Sequence, residues 1–327
     1  MTLIERRALY HLLRMNWLKE PTLLVEPWQV ENYRELSIPQ LFNRLEKFDI
    51  HLDRTSFVIY ADEADSPEEL TDHLVADRSF NPTFEDQVFL IVFELWRQLM
   101  PDKPSLSIIC YELDHQIYLF DHQMLKDQIP LQESLAQFSE ILHSNVDQGL
   151  SPKEVIQLIS NHCANDIETF LYDFISEQIE DGNDAYAYDL IEEYSPYFFD
   201  NKWFVLLKLR LLGSLNSQTS QRLIEQIFDE YLDDQDLEYN FELLYVLSEM
   251  KNRPLFETLL RSTFSLIKTE ENLQDLLFIL IEYFDRIDQK SKSDSLKNLL
   301  EQRKDNLLVK INNQNDPDLN YLKSFFS

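Results

Sequence analysis

Glycine is nearly absent. Only Gly149, Gly182 and Gly213 occur in 327 residues, where average usage is roughly 7%. Phosphate-cradling loops, nucleophile elbows and dinucleotide turns need clustered glycines at positive φ or at close approach to a ligand, so P-loop and Rossmann chemistry are excluded. Tight hairpins draw on the same residue, and its scarcity argues against a sheet-rich fold. Positive charge is scarce as well: 29 Lys and Arg stand against 59 Asp and Glu, for a net charge of −30. The excess is spread along the chain, with 12 basic and 26 acidic residues up to 150 and 17 and 33 beyond. Binding to nucleic-acid phosphates or to an anionic membrane surface is therefore not expected, and a basic protein is the partner such a surface suits. Two cysteines, Cys110 and Cys163, lie in apolar surroundings and predict buried thiols in a reducing compartment, with the cytoplasm as the expected location. No uninterrupted apolar run resembles a secretory signal, and none is long enough to insert in a membrane.

What the chain does have is helical spacing. Phe84 to Met100, FEDQVFLIVFELWRQLM, is apolar on nearly every face and predicts a buried central helix, capped by Thr83 and stopped by Pro101. Around it, Leu3 to Leu18 reads as an amphipathic helix with Leu3, Leu9, Leu12, Leu13 and Trp17 as its apolar residues. Ser37 with Gln40, and Ser66 with Pro67 and Glu69, mark two further helix starts. Residues 55–61 and 105–120 mix helix and strand character, with a short β-hairpin as the alternative. The fold class is all-α, and residues 1–148 form an N-terminal helical domain. The segment VDQGLSP around Gly149 is the expected boundary.

Beyond it the pattern repeats. Helix pairs begin near Asp166, Lys202, Glu238 and Leu273, at spacings of 36, 36 and 35 residues, with turns at Gly182, 213–217, 251–254 and 288–293. Helix pairs at a period in the middle thirties build an α-solenoid. In period and pairing, and in Trp203 near a helix start, residues 151–312 resemble the tetratricopeptide-like class. That resemblance implies a helical-repeat domain, here 149–312, that binds peptides or partner domains along a concave face. Bulky Leu207 and Leu209 stand where that class carries small residues. A charged helix over 291–312 reads as its cap, and the tail 313–327 as a docked short helix or an exposed end.

Two constellations carry candidate chemistry. Glu112 with His115 and Glu140 with His143 are Glu-x-x-His pairs, and Glu94 could reach the same level, which is the donor set of a di-iron carboxylate bundle. Pairs of this kind arise from composition alone, and the usual alternation with lone-Glu helices is missing. No cofactor is expected; Glu94 reads instead as a buried carboxylate bonded to Arg97 or His115, and a metal-dependent enzyme is the alternative. The second constellation is DEYLDDQDLEYNFELLY, Asp229 to Tyr245. Asp233, Asp234 and Asp236 on an exposed turn, with Tyr231, Tyr239 and Tyr245 nearby, would suit a basic partner. The expected function is a non-enzymatic protein–protein interaction module, a scaffold or chaperone-like adaptor.

Overall fold

The computed structural model describes residues 4–76, 81–198, 202–213, 218–231, 236–304, 306 and 316–326. Among them the fold is all-α, with no strand, and no helix is long and apolar enough to cross a membrane. The chain forms two compact units, Met1–Leu171 with Pro196–Phe199 and Tyr172–Ser195 with Asp200–Ser327.

Unit 1 contains α1 (Arg6–Lys19), α2 (Pro27–Val30), α3 (Ile38–Glu46), α4 (Arg54–Glu63), α5 (Pro67–Val75), α6 (Pro82–Leu99), α7 (Leu106–Asp121), α8 (Ile129–Asp147) and α9 (Pro152–Ile159). A further helix, α10 (Ile167–Glu180), contains the point at which the units divide. The expected boundary at Gly149 therefore falls inside unit 1, where α8 and α9 pack on each other. Gly149 serves there as a helix terminator at φ +105°.

α6 is the core of the unit, with every residue from Val88 to Trp96 buried and α3, α4 and α5 packed around it. It begins two residues earlier than Thr83 suggests. Asn81 Oδ1 accepts from the Phe84 amide at 2.9 Å and Pro82 needs no amide partner, a stronger start than threonine alone. The two ambiguous segments are helices. In α4, Asp53 and Ser56 cap each other reciprocally, at 2.8 and 2.9 Å, and fix the start. At its other end Lys103 Nζ donates to the carbonyls of Ala61 and Asp62, where a cation suits the helix dipole. α1 is helical as expected, but its apolar residues are buried unevenly: Leu9 is 44% exposed and Leu13 packs on the core in part, while Ala8, Tyr10 and His11 are buried.

Unit 2 continues α10 with α11 (Asp184–Tyr194), α12 (Lys202–Gly213), α13 (Gln218–Glu230), α14 (Leu237–Glu249), α15 (Arg253–Thr263), α16 (Glu270–Arg286), α17 (Lys290–Arg303) and α18 (Pro317–Ser324). These fall into successive pairs, and the first helices of the pairs start at 167, 202, 237 and 270. α12 packs on α14 and α14 on α16, while α13, α15 and α17 each pack on the helix before them. The reversal after α10 uses Gly182 at φ +76°, but those after α14 and α16 place Lys251 and Asp288 in the left-handed region. The chain thus makes helix-ending turns with so few glycines by accepting the modest strain of a side chain there.

The end of the chain is a docked helix. Leu319 and Leu322 of α18 are wholly buried, and Phe326 stacks on Phe284 with centroids 5.7 Å apart. Arg303 holds Glu270 at 2.8 Å and also engages Asp316 and Asp318 at the start of α18. Leu322→Ala should therefore lower the unfolding free energy by about 2–5 kcal/mol, whereas Tyr321→Ala, at a 44% exposed ring, should cost under about 1 kcal/mol. Urea denaturation of the full chain measures both; equal small losses would show that α18 is not part of the core.

Candidate functional site

Burying a carboxylate on α6 demands a partner, and Glu94, only 1% exposed, has two. Arg97, one turn on, donates to both of its oxygens at 2.6–3.1 Å, and Gln98 Nε2 adds a bond at 2.8 Å. Arg97 also reaches Glu112 of α7 at 3.3 Å, while Arg34 grips Glu112 in a two-pronged pair at 2.6 and 3.0 Å. Burial works to raise the Glu112 pKa, but the guanidiniums of Arg34 and Arg97 outweigh it and hold it below the usual carboxylate range. The ion pair read from Glu94 to Arg97 is present. The oxygens that a metal would need are those the arginines occupy.

The second Glu-x-x-His pair lies elsewhere. Glu140 and His143 are exposed on α8, His143 beside the Tyr197 ring at 6.3 Å, while Glu112 and His115 face inward on α7. Among the described residues no three His, Cys, Asp or Glu side chains stand where a metal ion could be held. Cys110 and Cys163 are free, buried thiols; a hydrogen bond with Cys110 and then burial push the Cys163 thiol well above its ordinary pKa, away from nucleophilic reactivity.

In unit 2 the acidic-aromatic stretch divides. Asp233 and Asp234 lie outside the described residues. Asp236 is the N-cap of α14, accepting from the Tyr239 amide at 3.2 Å and pairing with Lys202 at 2.9 Å. Tyr239 is wholly buried, its ring edge-on to Trp203 at 5.2 Å, and Tyr231 packs against the same core. A surface role for Tyr239 is thus corrected to a core one: its position on α14 faces α12, and helical spacing alone did not say which face was outward. Tyr245 is the exception among the tyrosines. It is half-buried at the wall of a groove between α14 and α16, with Arg286 over its ring at 4.7 Å.

That groove, about 300 Å³, is lined by Phe241, Tyr245, Phe278 and Ile279 among the carboxylates of Glu238, Glu242 and Asp275. Phe278 is 56% exposed, because the core stripe of α16 is filled by Leu273, Leu276, Leu277 and Leu280. Sequence reasoning passed over Phe278 and Asp275. The signal was an aromatic residue lying outside a complete leucine stripe. Burial raises the Glu242 pKa, with Arg210 pulling against it and Glu238 adding to it; Asp275 is raised by burial and by Glu271. Both carboxylates sit where a cation would be welcome.

Comparison of the chain with protein-family models, curated proteins and solved structures found no match.

His115 yields a pH prediction. Burial, then Arg34, pushes its pKa to about 4 against the opposing charge of Glu112. Because the folded value lies below the ordinary 6.5, the unfolded chain takes up the proton first, so this contribution to stability is lost as pH falls from 6.5 towards 4. His115→Gln removes the titration and should lose less of its urea midpoint than wild type between pH 7 and 4.5. Equal losses would show that His115 is not held neutral.

Proposed function

We propose that the chain acts by binding a protein partner, as a scaffold or chaperone-like adaptor in the cytoplasm, and not by catalysis. The helix pairs of unit 2 serve in this reading as tetratricopeptide-like repeats, and the partner is a basic segment seated between α14 and α16. One observation carries the reading: Phe278 stands 56% exposed beside half-buried Tyr245 and Phe241, ringed by Glu238, Glu242 and Asp275. Aromatic anchors with an acidic rim suit a segment that presents an apolar residue flanked by Lys or Arg. The net charge of −30 draws such a partner from a distance.

A pull-down with the full chain and with Phe278→Ala selects the partner retained by the first and lost by the second. In kinetics with that partner, Phe278→Ala and Tyr245→Ala should speed dissociation about tenfold or more. Glu238→Gln combined with Asp275→Asn should mainly slow association. Raising salt should slow association as well, because screening shortens the field to about 8 Å at 0.15 M. Salt-independent association, or partners held equally by wild type and Phe278→Ala, would remove this groove from consideration.

A further inference from the structure

Three arginines of a chain short of positive charge, Arg7, Arg14 and Arg34, line one cavity in unit 1. Arg7, Tyr10, His11 and Arg14 follow the i, i+3, i+4, i+7 spacing and share one face of α1. That face fronts a cavity of about 210 Å³, which α7 closes with Tyr111 and His115 and the 29–35 segment closes with Arg34. That volume has room for a small molecule.

Most charged groups around it are already matched. Arg34 pairs with Glu112 and Glu31 with Arg44, each in a two-pronged bond, and Glu35 accepts from Asn32 Nδ2 at 2.8 Å. The Tyr10 hydroxyl donates to Asp86 at 2.6 Å. Arg7 and Arg14 are different. Among the described residues neither makes a hydrogen bond or ion pair; Arg7 lies over the Tyr111 ring at 3.9 Å and the Phe93 ring at 5.0 Å, and acts on the buried Asp114 carboxylate, itself bonded to Ala164 and Asn165, without bonding to it. Its Nε is buried without an acceptor, and Nδ1 of His11, a residue 5% exposed, is buried without a partner too. Buried polar groups are matched as a rule, and each exception calls for a cause. Arg7, Arg14 and Arg34 line the cavity together with Glu31 and Glu35, and His11 is held well below its ordinary pKa, first by burial and then by Arg7, Arg14, His115 and Arg34.

We infer that this cavity binds a small oxyanion of more than one negative charge, a phosphate or a polycarboxylate, received by the guanidiniums of Arg7 and Arg14 with His11 as a third contact. Guanidinium forks match both oxyanion types in two-pronged geometry, and charge-assisted bonds of this kind are the strong ones. The inference is independent of the groove in unit 2. It also accounts for the inward turn of the Arg7–His11–Arg14 face while Leu9 is left exposed.

Isothermal titration of the full chain with pyrophosphate and, separately, citrate tests it and tells the two chemistries apart. At least one should bind, and Arg14→Gln should weaken it about tenfold or more, the loss of one or two charge-assisted bonds. Arg14 has no side-chain partner whose loss would unfold the protein, whereas Arg7→Gln removes ring contacts and is read alongside a denaturation curve. Lys297→Gln, at an exposed pair with Asp285 in unit 2, should bind like wild type. Saturation should shift the ring resonances of His115. No binding of either probe at millimolar concentration, or equal weakening by Arg14→Gln and Lys297→Gln, would overturn the inference.

Discussion

The structure depends on where a chain short of positive charge puts it. Arg97 lets α6 bury Glu94, Arg34 ties Glu112 of α7, Lys202 joins the start of α12 to the cap of α14, and Arg303 fastens α18 to α16 through Glu270. The side chains of these cations are at most 20% exposed. A carboxylate taken from water without a partner costs several kcal/mol, so each such helix contact requires its cation. What remains outside is an acid-rich surface, whose self-repulsion opposes compactness and must be offset by apolar burial.

Helices were legible where local signals agreed. Ser37 with Gln40 forms its capping box and Ser66 accepts from the Glu69 amide, and the pair starts near 202 and 238 fall within a residue of α12 and α14. Glu94 with Arg97 was legible because the two are three apart on one helix. The division into units was not, because Gly149 marks a turn between packed helices as readily as a linker. The buried face of α1 escaped for a related reason. Apolar spacing located Leu13, which packs on the core, but also Leu9, which is exposed, while the inward side carries His11, which sequence periodicity assigns to solvent. Tyr239 and Tyr245, six residues apart on α14, look alike in sequence, and only the packing of α12 and α16 separates a core ring from a groove ring.

Two kinds of surface result from one distribution of charge. The groove of α14 and α16 keeps Glu238, Glu242 and Asp275 together; burial first, then Glu238 against the pull of Arg210, raises Glu242, and burial first, then Glu271, raises Asp275, a cost that a cation relieves. The cavity of unit 1 keeps guanidiniums without acceptors, which is a demand that an oxyanion relieves. Each site is locally unbalanced, while the pairs that hold helices together are balanced. Imbalance is what separates a candidate binding surface from a structural contact here.

The claim that interior cations hold this fold is tested most directly by a denaturation cycle on Arg97→Met, Glu94→Gln and the two together. Arg97→Met alone leaves Glu94 buried and unmatched and should cost about 3–5 kcal/mol. Adding Glu94→Gln should recover most of that loss, and the effect should persist at about 1 M salt, where exposed pairs are screened to a range of about 3 Å. A single-variant cost below about 1 kcal/mol, or one that disappears with salt, would contradict it.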